Sequence, residues 1–351
     1  MKILLAIQGT GNGHLSRARD IYPELCKYGE VDVLVSGIQA DVTLPFPVKY
    51  QLYGVSFIFG KRGGVDIAST AKKLKLFRFL RDMRHLPVEQ YDLVINDFEP
   101  VSAWACRLRR VPCISLSHQC AVLHRLAPKP EKGDLVGELV LQRYAPVTAA
   151  YGFHFEAFAE NIFTPVIRRE IREAAVSNQG HYTVYLPAYD DQLLVKHLSV
   201  FKDVKWEVFT KHSQQAYSFQ NIQVTPIENN TFIKSMAASE GVLCGAGFEG
   251  PAEALYLGKK LLCIPMNGQY EQHCNAAGLK RLGVPIIHQL HKKHYNDISL
   301  WLNNPQHIAV HFPDLTGEIV SRLIKEHAPS TLQTLPGGLG PDNGPGIPAA
   351  S

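Results

Sequence analysis

Short, wholly apolar runs alternate with helix-length stretches along most of this chain, and they do so in two separate bouts. In the first, Lys2–Ile7, Val31–Val35, Val48–Tyr53, Tyr91–Asn96 and Pro112–Ser117 read as strands. Leu15–Tyr28, Ser69–Leu86 and Val101–Arg109 read as helices between them. Strands without polar alternation are buried on both faces, so the pattern predicts parallel sheets covered by helices. The rhythm weakens over residues 121–180, which hold one helical stretch, Leu135–Tyr144, and one strand, Ala149–Phe155. It restarts with strands at His181–Leu186, Trp206–Thr210, Ile222–Thr225, Gly241–Cys244, Lys260–Ile264 and Pro285–His288. Helices are predicted at Asp190–Phe201, Thr231–Ala238, Pro251–Leu257, Gln269–Leu282 and Thr316–His327. The expected fold class is α/β, with two doubly wound, Rossmann-like domains facing a cleft. Their expected bounds are residues 1–160 and 161–328. Residues 329–351 are rich in Gly and Pro and poor in large apolar side chains, so a disordered tail is expected there.

Composition removes several classes of function. Apolar residues make up 46% of the 351 and charged residues 19%, which supplies cores for two domains and excludes a disordered chain. The seven cysteines form no Cys-x-x-Cys pair and read as reduced, mostly packed thiols. No apolar run is long enough for a membrane span. The opening MKILLAIQGTGNGH has an apolar stretch of only five residues and does not read as a signal peptide, so a cytoplasmic protein is expected. A net charge of +4 does not suggest nucleic acid as a partner. The charge is concentrated, however: Lys61–His85 carries +6, which leaves −2 for the rest. Within Ser69–Leu86, Leu76, Phe79, Leu80 and Met83 share one helical face, while Lys72, Lys75, Arg78 and Arg81 occupy the other. Such a helix can pack its apolar face on a core or lie on anionic lipid.

Ligands of doubly wound folds bind at the carboxyl ends of the strands, so the loops there are the places to look. The first is Gly9-Thr-Gly-Asn-Gly-His14. Gly9, Gly11, Asn12 and Gly13 allow a tight turn into a helix whose free N–H groups suit a phosphate or a developing oxyanion. A dinucleotide fingerprint fails on two counts. The third glycine is replaced by His14, and the second strand ends in Leu-Val-Ser-Gly37 without an acidic residue. His14 at a helix N-terminus is expected to be neutral and to serve as a general base, the alternative being a histidine that only caps or packs. Asp97, at the end of the fourth strand, could orient it or could cap the helix at Val101.

The second place is Cys244-Gly-Ala-Gly-Phe-Glu-Gly-Pro-Ala-Glu253, where a strand ends in glycines and a helix begins near Pro251. Its bare N–H groups would cradle a diphosphate, and Glu253 could accept from a ribose diol. Gln269, Glu271 and Gln272 open the next helix with side chains suited to sugar hydroxyls.

These motifs resemble the donor half of the two-Rossmann-domain (GT-B) nucleotide-sugar glycosyltransferases, in particular the MurG-like and UDP-glycosyltransferase branch. The similar stretches are GAGFEGPAEALYLGKKLLCIP, GQYEQHCNA and NTFIKSMAA, together with the first loop. The resemblance implies that the Gly247 and Phe248 backbones hold the donor diphosphate and that Glu253 binds the ribose. It implies that Phe232 and Ile233 border the base and that Glu271 and Gln272 hold the sugar. His14 would stand at the acceptor, with Asp97 behind it. The plant-type members carry a phosphate-binding His where this chain has Gly245, a departure shared with the MurG-like branch. The implied activity is inverting and metal-independent, with a nucleotide sugar, UDP-linked by resemblance, as substrate and no separate cofactor. It implies a hexosyl or N-acetylhexosaminyl group passed to a lipid or cell-envelope hydroxyl at the inner membrane surface. Two rivals share the same features: a nucleotide-sugar epimerase, and a non-catalytic nucleotide-sugar-binding regulatory subunit. Asp190-Asp191 reads as a helix cap, and His288, His291 and His294 as a solvated face rather than a metal site.

Overall fold

The computed structural model describes residues 1–10, 12–37, 44–55 and 75–329. The first sheet has seven strands in the order β3-β2-β1-β4-β5-β6-β7. They are β1 (Lys2–Gln8), β2 (Glu30–Ser36), β3 (Tyr50–Leu52), β4 (Leu93–Asp97), β5 (Ile114–Ser117), β6 (Ala149–Phe153) and β7 (Ile162–Phe163). Every neighbouring pair is parallel. The second sheet has the order β10-β11-β9-β8-β12-β13, built from β8 (His181–Tyr185), β9 (Lys205–Thr210), β10 (Tyr217–Phe219), β11 (Ile222–Pro226), β12 (Gly241–Gly245) and β13 (Lys260–Ile264). Only the edge pair β10–β11 is antiparallel.

The helices are α1 (Asn12–Cys26), α2 (Leu76–His85), α3 (Pro100–Arg109), α4 (His118–Leu123), α5 (Leu135–Tyr144) and α6 (Arg169–Arg172) in the N-terminal part. They continue as α7 (Asp191–Leu198), α8 (Asn229–Ala238), α9 (Glu249–Tyr256), α10 (Tyr270–Arg281), α11 (Tyr295–Asn303) and α12 (Thr316–His327). Central strands such as β1, β4 and β13 are buried along nearly their whole length, which is why they read as unbroken apolar runs.

Three differences from the sequence reading matter here. Helix α1 starts at Asn12, so Asn12, Gly13 and His14 form its first turn rather than a loop ahead of it. Pro285–His288 makes only an isolated bridge, Cys263 to Ile286, because Pro285 has no N–H to extend a ladder. The short elements α4, α6, β7, β10 and α11 left no readable periodicity. Gly11, residues 38–43, residues 56–74 with the start of the basic segment, and residues 330–351 lie outside the described residues.

Strand order reverses between β1 and β4 in the first sheet and between β8 and β12 in the second. At such a switch point the two helix connections leave on opposite faces and open a crevice at the carboxyl ends. In register, Ile7 stands beside Asp97, and Cys244 beside Tyr185. The loops of the two crevices meet. One continuous apolar core joins Ile7 and Phe153 of the first sheet to Phe248 and Ala252, in the turn and helix that follow β12. Helix α12 returns to pack on α1, and its Arg322 pairs with Glu160.

Candidate active site

Gly9 N donates to Ser36 O at 2.6 Å, which ties the turn after β1 to β2. A Cβ on Gly9 would stand 2.8 Å from Val35 Cγ1, so only glycine permits this approach. Gly13 lies directly under the Glu249 carboxylate from the other half of the molecule, and a Cβ there would overlap it. These two glycines let α1 start hard against the opposite half, with His14 at the contact.

His14 Nδ1 stands 2.8 Å from Asp97 Oδ1. A carboxylate only accepts, so Nδ1 carries the proton and Nε2 of the neutral ring is bare. Asp97 also accepts from Arg17 Nε and Nη2 at 2.8–3.2 Å, and Arg17 Nη1 reaches Glu249 Oε1 at 2.5 Å. The Arg17 side chain is 1% exposed, a buried cation shared by carboxylates from both halves. Asp97 is free for this work because the cap of α3 is Glu99, which accepts from Val101 N and Ser102 N. Phe98 turns the chain away at once with φ +56°, a left-handed conformation unusual for a side-chain-bearing residue. Its ring stacks on Tyr144 and faces His14 at 6.5 Å.

Burial works to lower the His14 pKa, but the charge and hydrogen bond of Asp97 outweigh it, and the net value rises above 6.5. The sequence reading expected a neutral ring from the helix end alone; a carboxylate in direct contact is the stronger influence. For Asp97 the order is burial, which raises, then Arg17 and His14, which bring the carboxyl below its usual range.

Across the crevice, β12 ends at Gly245 and α9 begins at Glu249. A Cβ on Gly247 or Gly250 would meet nothing within 4 Å, so this backbone faces open space. Phe248 instead turns inward and stacks on His118 at 3.8 Å. Glu253 is 3% exposed and bound by Arg168 through Nε at 2.5 Å and Nη2 at 2.8 Å, with Asn229 on the other side of the guanidinium. Each Glu253 oxygen therefore keeps one further lone pair. Ile233 is buried in the core, whereas Phe232 is half-buried against Tyr185 and Phe209.

Helix α10 supplies the third side. Glu271 Oε2 accepts from Gln119 Nε2 at 3.0 Å, and that same nitrogen lies 3.4 Å from His14 Nε2. Gln272 Oε1 accepts from the backbone N–H of Met266 at 2.9 Å, which leaves its amide nitrogen to donate. Gln269 has a buried Oε1 without a partner. Asn275 accepts from His118 Nε2 at 2.6 Å and donates to Ala246 O at 3.1 Å, which locks α4 to the glycine turn. The structure thus gathers His14, Asp97, Gly13, Glu271 and the Gly245–Phe248 turn around one crevice, while Phe232 and Ile233 sit on α8 beyond β8.

Sequence reasoning missed Arg17, Glu249, Gln119, His118 and Arg168. Arg17 was findable, since three residues after His14 it shares that helical face. The others depend on contacts between distant segments. Asp190 caps α7 by accepting from Gln192 N. His291 and His294 make local contacts, with Lys293 N and Asp297.

The arrangement holds an oriented imidazole opposite a helix N-terminus with open backbone, as group transfer from a phosphate ester requires. The sequence pattern of glycosyl transferase family 1 matches residues 1–304. No curated protein matches the chain in sequence. Among solved structures, MurG of Acinetobacter baumannii is similar at TM-score 0.53 and 18% identity, covering 95% of this chain and 97% of its own. The UDP co-structure of S. aureus MnaA is similar at TM-score 0.59 and 11% identity, covering 92% and 96%. Arabidopsis thaliana UGT89C1 complexed with UDP is similar at TM-score 0.55 and 12% identity, covering 93% and 94%. The two facing sheets are those of the GT-B fold, and the chain belongs to glycosyl transferase family 1.

Proposed function

We propose that this protein is an inverting, metal-independent glycosyltransferase that takes a UDP-sugar as donor and a hydroxyl compound as acceptor, with no separate cofactor. His14 Nε2 takes the proton of the acceptor hydroxyl. The freed oxygen attacks the anomeric carbon as the bond to the diphosphate breaks, and that electron pair leaves on UDP. Asp97 holds the ring and steadies the imidazolium that forms. The open backbone of Gly245, Gly247 and Phe248 and the start of α9 receive the departing diphosphate. The free lone pairs of Glu253 take the ribose diol. Phe232 and Ile233 border the base, and Gln269, Glu271 and Gln272 meet the sugar. The observation that carries this reading is the 2.8 Å His14–Asp97 contact at one switch point, set against the glycine turn at the other.

The transferred group is a hexosyl or N-acetylhexosaminyl unit, and the acceptor a lipid or envelope glycan on the cytoplasmic side of a membrane. Among the described residues no helix is long and apolar enough to cross one. Phe79, Leu80 and Met83 of α2 pack on the core, while Leu76 is 52% and Phe77 91% exposed beside Lys75 and Arg78. That end of the basic segment is the proposed contact with anionic lipid.

The test is thermal unfolding with UDP, GDP, ADP, TDP and NAD, followed by UDP release from UDP-sugars with and without acceptors. UDP at about 100 times Kd should add about 2.7 kcal/mol. His14→Ala should keep that shift and lose transfer. No shift with UDP sinks the donor assignment, and turnover without any acceptor favours an epimerase.

A further inference from the structure

Beside His14 the N-terminal half contains a cavity of about 530 Å³ that the proposed reaction has not used. Its volume lies within the roughly 300–1,000 Å³ of small-molecule sites. Every residue lining it falls between Asn96 and Asn161, so it exists within one half, whatever the opening of the crevice. Two of its lining residues also face His14: the Phe98 ring with centroids 6.5 Å apart, and Gln119 Nε2 at 3.4 Å from His14 Nε2. They follow β4 and β5, so one end of the cavity lies at the carboxyl ends that carry the base, while Ala150 and Asn161, at the starts of β6 and β7, line the other.

Its chemistry is unlike that of the crevice. Trp104, Leu123 and Leu141 form apolar wall, and Trp104 Nε1 is already donated to Tyr144 O at 3.2 Å, which leaves the indole an apolar surface. Arg107 and Arg143 also line it, and no Asp or Glu does. Arg107 lies over the Trp104 ring at 5.5 Å, and neither arginine has a carboxylate within 4 Å among the described residues. The crevice, by contrast, holds Asp97, Glu249 and Glu271. An anion entering the cavity therefore meets two guanidinium groups and no carboxylate. Gln119 adds an open acceptor. It is 3% exposed, its amide nitrogen serves Glu271 and His14, and its Oε1 is buried with no hydrogen-bond donor. A hydroxyl placed between Gln119 Oε1 and His14 Nε2 satisfies the first and is deprotonated by the second.

We propose that this cavity is the acceptor site and that the acceptor is an amphipathic anion. Its flat apolar body would lie against Trp104 and Leu141, its acid group at Arg107 and Arg143, and its nucleophilic hydroxyl at Gln119. The assignment rests on the transferase reading above; the cavity and its charge do not.

The first test uses 8-anilinonaphthalene-1-sulfonate on the full chain, read by quenching of Trp104. Of the three tryptophans, the other two, Trp206 and Trp301, lie in the second half. One equivalent should bind, and the quenching should vanish in Trp104→Phe. Binding should weaken at least tenfold in Arg107→Gln/Arg143→Gln, whose altered side chains are exposed, and should be blocked in Leu141→Trp. The neutral N-phenyl-1-naphthylamine should not respond to the arginine changes. Sulfonate binding that survives all these changes, or that is lost instead on Leu135→Glu/Leu139→Glu at the exposed face of α5, overturns the proposal.

The second test compares 6-hydroxy-2-naphthoate with its methyl ester as acceptors for UDP release. The acid should react at least tenfold faster, and the ratio should collapse in the arginine double variant. Equal rates for acid and ester, or no reaction of either while UDP still shifts unfolding, overturns the acceptor class and leaves the donor reading standing. Absence of the UDP shift overturns the transferase reading, and the acceptor role with it.

Discussion

Asp97→Asn isolates what the buried charge cluster does. Asp97 is 3% exposed and takes hydrogen bonds from both His14 and Arg17. The amide keeps the shape and one acceptor oxygen but removes the charge. Arg17, 1% exposed, is then left with Glu249 alone. Breaking a buried pair costs about 3–5 kcal/mol, and the retained oxygen places this change near 3. With an unfolding entropy of about 2.1 cal/mol/K per residue, the 351-residue chain shifts by about 1.4 °C per kcal/mol, so the unfolding midpoint should fall by roughly 4 °C.

The second consequence is in titration. In the wild type, burial lowers the His14 pKa and Asp97 raises it above 6.5; without the charge, burial and Arg17 act unopposed except by Glu249, and the pKa should drop below 6.5. Linkage gives the sign for stability. The His14 contribution is fully present below pH 6.5 and is lost as pH rises through its folded value. The Asp97 contribution is present above pH 3.8 and is lost as pH falls through its lowered folded value. The pair thus stabilises most between those limits, and Asp97→Asn should remove the loss of stability that His14 gives the wild type as pH rises from 5 to 8. The assay is an NMR titration of the His14 Cε1–H resonance, assigned by His14→Gln, beside melts at pH 5 and 8. A His14 pKa that stays put or rises in Asp97→Asn refutes the argument. Transfer, once an acceptor is in hand, should fall about 10²–10⁴-fold.

Gly13→Ala should destabilise by about 1–3 kcal/mol, because its Cβ pushes the Glu249 carboxylate away from buried Arg17, whereas Gly247→Ala should leave the melt within about 0.5 kcal/mol and weaken UDP binding; equal effects in melts and UDP titrations would contradict this. Glu253→Ala should lose about 3–5 kcal/mol by stranding Arg168, and much of that loss should return in Glu253→Leu/Arg168→Met, as thermal melts of the pair would show. Asn275→Ala should cost about 1–3 kcal/mol, since it strips a partner from His118 inside the contact between the halves. An unchanged melt would mean that this contact holds the halves together less than its burial suggests.

Much of this molecule follows from local sequence. Leu135–Tyr144, Lys260–Ile264 and Thr316–His327 appear where the pattern places them, because apolar periodicity and turn residues act within a few residues of one another. The glycine turns at Gly9 and Gly247 were legible for the same reason: bare backbone at a strand end is a local property. His14 and Asp97 were legible as candidates, since each ends an element that had been recognised. Their partnership was legible only as one of two readings of Asp97 and through the family resemblance. Eighty-three residues separate them, and only strand order, which puts β4 beside β1, brings them to 2.8 Å. The choice of Glu99 over Asp97 as the cap of α3 was decided by how the turn after β4 aims each carboxylate. Arg17 became a bridge only because Glu249 arrives from the other half, and Gln119 met His14 and Glu271 only when three elements converged. Periodicity reports which face of a segment is apolar; which charges share a buried space is a property of distances between segments. Those distances also raised the His14 pKa, where the helix end alone had suggested a neutral ring.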